Sequence, residues 1–194
     1  MSIETEIKVA ISDSDDFHRR LELLRPVMVL PRHFEDNFLL DYPHGHLRAR
    51  RCMVRLRSTA AVSFLTFKGA PLPEGKFKVR EELETTVGDG VMTLRILEGM
   101  GLEVVFRYQK YREEYTVCVP GRPESIKVLI DETPVGLYAE FEGSEEGIRI
   151  VAESMGFDES KFMRESYYSI YAEFCHERGK EPTHMVFSGG AQPT

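Results

Sequence analysis

The start of the chain carries charged side chains at every second position. Glu4, Glu6 and Lys8 alternate with uncharged residues in the run "IETEIKV". A β-strand sends successive side chains to opposite faces, so these three charges share one face of a predicted strand. Such a face either contacts water or lines a site that binds charged ligands.

Other predicted strands repeat this arrangement, with their charges on a single face. By segment, these charges are Arg55 with Arg57, Lys68 at the end of "FLTFK", Lys78 with Arg80, Glu82 and Glu84, Lys110 with Arg112, Lys127 with Asp131, and Glu140 with Glu142. One such strand alone would be half-buried, with its polar face in water. Adjacent full charges on many strands, with basic and acidic residues grouped, favour inward faces that form a charged tunnel.

The grouping of the charges indicates what such a tunnel would bind. Carboxylate oxygens are the ligands that Mg²⁺ and Mn²⁺ prefer, and arginine and lysine bind phosphate. A polyanion and a divalent metal between the two groups would compensate charges that are costly to bury. These residues by themselves do not distinguish a triphosphate from a diphosphate or citrate. Without metal the carboxylates are expected to repel one another, so Glu4→Gln or Glu140→Gln would leave the empty protein equally or more stable.

The bulk composition argues against several classes of protein. The chain has 194 residues and a formal net charge of -7, whereas general nucleic-acid binders need a basic surface. No apolar run approaches the roughly 20 residues of a membrane span, and Glu4 and Glu6 interrupt any signal-peptide pattern. Three widely spaced cysteines are typical of reduced thiols in a cytoplasmic protein.

The elements that position these charges come mostly as consecutive strands. Strands are predicted at 2–11, 33–43, 53–58, 62–69, 76–87, 104–119, 125–134 and 136–143. Helices are predicted from Ser12 or Ser14 to Pro26, at 88–102, from Ser144 to near Gly156, and from Asp158 to Gly179. This order predicts an α+β fold in which an eight-stranded antiparallel barrel carries flanking helices. Residues 1–178 are expected to form one domain, and 179–194 a flexible tail.

The order of the motifs resembles a known superfamily. The "ETEIK" run is followed by "FLLDYP", "VRLR", "FLTFKG", "REELE", "YQKYREEY", "LIDETPVGLYAEFEG" and "ESYYSIY", which together cover roughly residues 3–172. The chain is similar in these motifs to the CYTH superfamily of triphosphate tunnel metalloenzymes. That resemblance implies an eight-stranded tunnel that binds a triphosphate and a divalent metal, Mg²⁺ or Mn²⁺.

The resemblance also implies a role for each charged position. The implied metal ligands are Glu4, Glu6, Glu140 and Glu142, with help from Asp131. The implied triphosphate ligands are Lys8, Arg55, Arg57, Lys68, Arg80, Lys110 and Arg112. The implied catalytic residues are Lys8, Glu82 and Arg112, and Glu84 is expected to line the tunnel. Tyr42 and the "SYY" run at 166–168 are interpreted as packing elements.

Three functions fit the resemblance. Hydrolysis of an inorganic or organic triphosphate is favoured by the "RLR" motif and by the many small triphosphatases of the superfamily. The "KYREEY" run is similar to the cyclase-like branch, so a class IV adenylyl cyclase that makes cyclic AMP and pyrophosphate stays open. A non-catalytic polyphosphate-binding module would not need four carboxylates. The expected partner is a small-molecule triphosphate, without nucleic acid or membrane, and the resemblance admits a homodimer.

Overall fold

The computed structural model describes residues 3–73 and 75–189 of the chain. Its strands are β1 (Ile3–Ile11), β2 (Val27–Asp41), β3 (Met53–Ser58), β4 (Ser63–Lys68), β5 (Lys78–Val87), β6 (Glu103–Cys118), β7 (Ser125–Thr133) and β8 (Gly136–Glu142). Its α-helices are α1 (Ser14–Leu23), α2 (His46–Ala49), α3 (Gly90–Gly99), α4 (Glu145–Ser154) and α5 (Tyr167–His176). A 3₁₀ turn spans Glu159–Lys161.

The eight strands close into one antiparallel ring. Their order around the ring is β1-β5-β4-β3-β2-β6-β7-β8, and β1 pairs with β8 to close it. Closure removes the free edges that an open sheet would expose. The predicted α+β fold with an eight-stranded antiparallel barrel is therefore confirmed.

The pairing register turns the charged faces inward. Glu4 lies opposite Arg80, and Lys8 lies opposite Glu140. Directly paired residues point to the same face of a sheet, so these charges share the barrel interior. The hydrophobic core consequently lies outside the barrel, between its outer face and the helices.

Amphipathic helices cover the outer face of the barrel. Phe17 of α1 and Val151 of α4 are buried against Val9 of β1. Burial of each such side chain contributes about 1.5–3 kcal/mol. Ser144 accepts a hydrogen bond from the Gly147 N–H at 2.9 Å and begins α4 as predicted. Among the described residues, no helix is both long and apolar enough to cross a membrane.

Two predicted element starts are wrong for local reasons. The cap of α1 is the Asp13 side chain, which accepts from the Asp16 N–H at 3.0 Å, so neither neighbouring serine starts this helix. Strand β2 begins at Val27 rather than at residue 33. Pro31 lies within the strand, at the register shift between Leu30 and His33 in its pairing with β6.

The predicted fourth helix also starts later than expected. Asp158 caps only the short 3₁₀ turn, and α5 begins after Ser166, whose side chain accepts from the Ser169 N–H at 3.1 Å. Between them Met163 pairs with Lys8 through two backbone hydrogen bonds of 3.0 and 2.8 Å. This pairing ties the C-terminal segment to the first strand.

The C-terminal segment packs onto β6 within the described residues. Met185 is 0% exposed, and its backbone N–H donates to the Arg107 carbonyl at 3.0 Å. The Phe187 N–H donates to the Gln109 side chain at 3.2 Å. Residues 184–187 are therefore not a frayed tail, because backbone pairing and burial hold them. Residues 190–194 of the predicted tail lie outside the described residues, and the domain boundary at 178 stays a prediction.

Candidate active site

The barrel interior encloses a charged cavity of about 790 Å³. Nearly all the residues that the sequence assigned to a site line this cavity. They are Glu4, Glu6, Lys8, Arg55, Arg57, Lys68, Arg80, Glu82, Lys110, Arg112, Glu140 and Glu142. The charged side chains of separate strands thus meet at one site, because the inner faces of all strands in the ring surround a common interior.

Three carboxylates of this cavity lie close enough to share a cation. Oxygen atoms of Glu4, Glu6 and Glu142 lie within 4.8 Å of one another. Burial, followed by the charge of Glu140, raises the pKa of Glu142 above its ordinary value. Carboxylate oxygens grouped this closely fit a hard divalent cation, which would also compensate the disfavoured charge of Glu142. These three residues are the predicted ligands that the structure groups together.

Each of the two β1 carboxylates in this group also has a basic partner. Lys68 Nζ donates to both Glu4 oxygens at 2.7 and 2.8 Å, and Lys78 Nζ donates to Glu6 at 2.7 Å. Burial works to raise the pKa of Glu6, but the charges of Lys78, Lys68 and Lys8 together outweigh burial and lower that pKa to about 2. The expectation of uncompensated carboxylate repulsion is therefore wrong for Glu4 and Glu6.

Glu140 belongs to a second set of ion pairs. It accepts from Lys8 Nζ at 2.7 Å and also from the Arg112 guanidinium. Although burial opposes its charge, Lys8 and Arg112 hold the pKa of Glu140 well below its ordinary value. Glu140 thus acts here as a counterion of two predicted phosphate ligands, outside the group of three carboxylates.

Asp131 does not line the cavity and is 0% exposed. Its oxygens accept from Arg112 Nε at 2.6 Å, Lys110 Nζ at 2.9 Å and the Tyr167 hydroxyl at 2.6 Å. All of these contacts orient other side chains of the site. This geometry does not support the predicted help of Asp131 in metal binding, because its oxygens already bind three donor groups.

Two residues of the site were not recognised from the sequence. Tyr167 was interpreted as packing, yet its ring also lies 4.4 Å from Lys8 Nζ. Glu35 is 0% exposed, accepts from Arg57 at 3.1 Å and lies 3.4 Å from Lys110 Nζ. Burial opposes the charge of Glu35, but Lys110 and Arg112 hold its pKa well below the ordinary value. The sequence signal for Glu35 is its spacing of two residues from Asn37 in "FEDNF", which places both side chains on one face of the strand.

The arginines of β3 have donors available for a further acceptor. Within residues 3–73 and 75–189, the buried Nε atoms of Arg55 and Arg57 have no hydrogen-bond partner. The Nη2 atoms of Arg55 and Arg57 donate to Glu84 at 3.4 and 3.1 Å, and Arg57 Nη1 donates to Glu35. Unsatisfied buried donors beside carboxylate counterions are what an anion-binding site presents before its ligand arrives.

Glu82, like Glu142, has a pKa above its ordinary value. Burial and the neighbouring Glu4 raise the pKa of Glu82 to about 7 from an ordinary value of 4.5. A raised folded-state pKa contributes stability below about pH 4.5 that is lost as the pH rises toward 7. Between these pH values, the free energy of unfolding should fall by at most about 3 kcal/mol because of Glu82.

Glu82→Gln should remove this pH dependence. In EDTA, the melting temperature of the wild-type protein should fall between pH 4.5 and pH 7.5 by more than that of the variant. Calorimetry at the two pH values measures both changes. Glu81→Gln, on the neighbouring position of β5, is the matched control and should follow the wild type. Parallel pH curves for wild type and Glu82→Gln would contradict the raised pKa.

Comparison with known proteins agrees with this geometry. Residues 2–169 match the CYTH domain family. The chain belongs to the CYTH family. Members of the CYTH family are triphosphatases or adenylyl cyclases, so this CYTH domain belongs to a family of enzymes. A comparison with curated proteins gives no match.

Solved structures show the same fold as this CYTH domain. A candidate adenylate cyclase from Vibrio parahaemolyticus has a TM-score of 0.74 and 20% identity, over 87% of this chain and 97% of that one. A conserved hypothetical protein from Pyrococcus furiosus has a TM-score of 0.69 and 22% identity, over 84% and 97%. A candidate adenylyl cyclase from Hippeastrum, for which a dominant triphosphatase activity is described, has a TM-score of 0.63 and 16% identity, over 92% and 97%.

Proposed function

We propose that this CYTH domain hydrolyses a triphosphate with the help of Mg²⁺ or Mn²⁺. The observation that carries this proposal is the charge arrangement of one cavity, in which three grouped carboxylates adjoin a set of buried lysines and arginines. Phosphoryl transfer depends mainly on positioning and charge neutralisation, which this arrangement supplies. A pure anion-binding site would not need the carboxylate group.

Binding of substrate in this proposal exchanges one set of partners for another. Lys8 now pairs with Glu140, and Lys68 pairs with Glu4. Phosphate oxygens would replace these carboxylates as the acceptors of the two ammonium groups. Asp131 would keep Arg112 and Lys110 oriented throughout, because it holds both from outside the cavity. The phosphate ligands would be Lys8, Arg55, Arg57, Lys68, Arg80, Lys110 and Arg112.

The carboxylates have two separate roles in the proposal. Glu4, Glu6 and Glu142 would hold the metal, since their oxygens already lie within 4.8 Å of one another. When bound, Mg²⁺ or Mn²⁺ would neutralise charge on the phosphate oxygens. Glu82 would accept a proton from the attacking water, because a pKa of about 7 suits a general base at neutral pH. Lys8 and Arg112 would stabilise the charge that develops on the transferred phosphate.

Adenylyl cyclase activity is the second candidate. The cavity of about 790 Å³ is within the usual range of small-molecule sites and could hold a nucleotide. The structurally similar proteins from Vibrio parahaemolyticus and Hippeastrum also carry cyclase names. Hydrolysis remains our proposal because it uses the charged cavity alone, without a dedicated position for the ribose 3′ oxygen.

One assay separates these functions. The purified protein is incubated with inorganic triphosphate, ATP or thiamine triphosphate in Mg²⁺ or Mn²⁺, and the products are identified by chromatography. Orthophosphate release supports hydrolysis, and cyclic AMP with pyrophosphate supports the cyclase. Activity that persists at full rate in EDTA after dialysis would exclude the proposed mechanism.

Arg57→Ala should weaken substrate handling. Charge-assisted contacts to phosphate contribute roughly 1.5–3 kcal/mol, so kcat/KM should fall by about one to two orders of magnitude. The control is Arg19→Ala, which removes a largely exposed arginine of α1. Steady-state kinetics with the best substrate measures both variants. An unchanged kcat/KM in Arg57→Ala would remove Arg57 from the proposed phosphate ligands.

Several aspects of the function stay predictions. A small-molecule triphosphate is the proposed partner, and we expect neither nucleic acid nor membrane to bind. The homodimer and the cytoplasmic location are likewise expectations that follow from the sequence. Size-exclusion chromatography with light scattering would decide the oligomeric state.

A further inference from the structure

A second group of potential metal ligands lies in the same cavity as the three grouped carboxylates. Its members are His33 and Glu35 of β2 and Glu114 of β6, and all three line the cavity. One ligand atom from each residue lies within 4.8 Å of the other two. The pairing of β2 with β6 brings these residues together from distant parts of the sequence. We call this set the β2–β6 group.

The β2–β6 group differs from Glu4, Glu6 and Glu142 in both place and chemistry. Around the ring, β2 is four strands from β1 in either direction, so the two groups lie on opposite walls of the barrel. Carboxylate oxygens alone suit the hard cations Mg²⁺ and Mn²⁺. An imidazole nitrogen beside two carboxylates instead suits a borderline cation such as Zn²⁺. The two walls therefore offer sites for different classes of divalent cation.

The ring of His33 is held in the way that a metal-binding histidine requires. Its Nδ1 lies 2.9 Å from the Pro31 carbonyl oxygen, and a carbonyl oxygen can only accept, so Nδ1 carries the proton. Metal-binding histidines usually donate their other ring N–H to such an acceptor. His33 Nε2 lies 3.6 Å from Glu35 Oε1, which is too long for a hydrogen bond. Two ligands of a tetrahedral zinc ion are roughly 3.4 Å apart, so this separation suits a shared cation.

Glu35 has an oxygen atom whose hydrogen-bonding capacity is unused. The residue is 0% exposed, and its Oε1 accepts from Arg57 at 3.1 Å. Its Oε2 lies 3.4 Å from Lys110 Nζ, and within the described part of the chain this buried atom has no hydrogen-bond partner. A buried oxygen without a partner costs free energy, which coordination of a cation by this carboxylate would recover.

We propose that His33, Glu35 and Glu114 form a second cation site, which binds Zn²⁺ or a similar borderline divalent ion. Three protein ligands leave a fourth coordination position for a water molecule or another small ligand. Arg57 and Lys110 lie beside Glu35 and repel a cation, so we expect binding in the micromolar range, weaker than at structural zinc sites. The site is separate from the proposed Mg²⁺ or Mn²⁺ site and does not depend on the proposed hydrolysis.

The test measures zinc binding without interference from the opposite wall. The parent protein is the double variant Glu4→Gln/Glu6→Gln, which lacks two carboxylates of that wall. Titration calorimetry with Zn²⁺ near neutral pH should detect a site in the parent. Adding His33→Ala or Glu114→Gln should weaken that binding by at least about a hundredfold, because loss of an outer-shell partner alone costs about 10–100-fold.

Two matched controls account for binding of zinc to surface groups. They are His44→Ala, at an exposed histidine, and Glu103→Gln, at an exposed carboxylate of β6, and both should bind Zn²⁺ as the parent does. Melting temperatures in EDTA verify that each variant is folded, and His33→Ala and Glu114→Gln remove different ligands, so either folded variant gives a result. Parent-like zinc binding by a folded His33→Ala or Glu114→Gln variant, or no zinc binding by the parent, overturns the inference.

A second titration separates this site from the proposed function. Mg²⁺ is titrated into the wild-type protein and into His33→Ala alone. Equal Mg²⁺ affinities are expected, because the proposed Mg²⁺ ligands lie on the opposite wall. A Mg²⁺ affinity that falls in His33→Ala as far as the Zn²⁺ affinity does would mean that both groups serve one site, and would overturn the inference of a second.

Discussion

Glu140→Gln should lower the melting temperature by about 10 °C, whereas Glu142→Gln should leave it unchanged or raise it. The two residues lie on the same face of β8, two positions apart. Glu140 is the counterion of Lys8 and Arg112, all three of which are buried. Breaking a buried ion pair costs about 3–5 kcal/mol, and each kcal/mol shifts the melting temperature by about 2–4 °C in a chain of this size.

Glu142 has the opposite electrostatic setting in the empty protein. Its charge is disfavoured by burial and by Glu140, as its raised pKa indicates. Neutralising it therefore relieves a cost, and only the weak 3.4 Å contact with Lys127 is lost. Calorimetry in EDTA measures both variants under the same conditions. Equal melting temperatures for the two variants would show that Glu140 is not the counterion that holds this part of the barrel together.

The double variant Glu4→Gln/Glu6→Gln should lose turnover by more than about a hundredfold, because the proposed metal site loses two of its charged ligands. Adding Mg²⁺ or Mn²⁺ should raise the melting temperature of the wild type. At a metal concentration of a hundred times the dissociation constant, the free energy of unfolding should increase by about 2.7 kcal/mol. The variant should not show this gain. Activity assays and metal titration by calorimetry measure the two effects separately.

The same double variant should bind triphosphate more tightly in EDTA than the wild type does. Lys68 and Lys78 now pair with Glu4 and Glu6 at 2.7 Å, so a phosphate must displace those carboxylates. Without the two charges, both lysines are available to the ligand. The control is Glu22→Gln, which changes a carboxylate of α1 outside the cavity. Weaker metal-free triphosphate binding by the double variant would contradict the exchange of counterions.

The strands and their inward faces could be predicted because they depend on local patterns. Alternation of charged and apolar residues has a period of two, and that period identifies both the strand and its charged face from a few residues. Ser144 before a run of acidic and apolar residues identified the start of α4 for a similar reason, since a helix cap acts within one turn. The early start of β2 at Val27 was missed, because register shifts in its pairing with β6 break the simple alternation there.

Partners that come from distant strands could not be predicted in this way. Asp131 looked equivalent to the other carboxylates, but it faces Arg112 and Tyr167 from separate elements and is withdrawn from the cavity. Glu35 is far in sequence from Lys110, which it approaches only because β2 pairs with β6. Such contacts depend on strand order and register, which span most of the chain.

The alternation of charged residues along the chain is enough to predict a ring of strands with opposite charges facing a shared interior. This alternation fixes which side chains share a face, and a one-residue shift of a strand would turn all of that strand's charges toward the outer core. Only the folded structure shows which carboxylate neutralises which cation. Those outcomes depend on distances of a few ångströms between distant segments, such as the 2.7 Å contact of Lys8 with Glu140. Interactions between buried charges change steeply over such distances, and the chain order does not encode them locally.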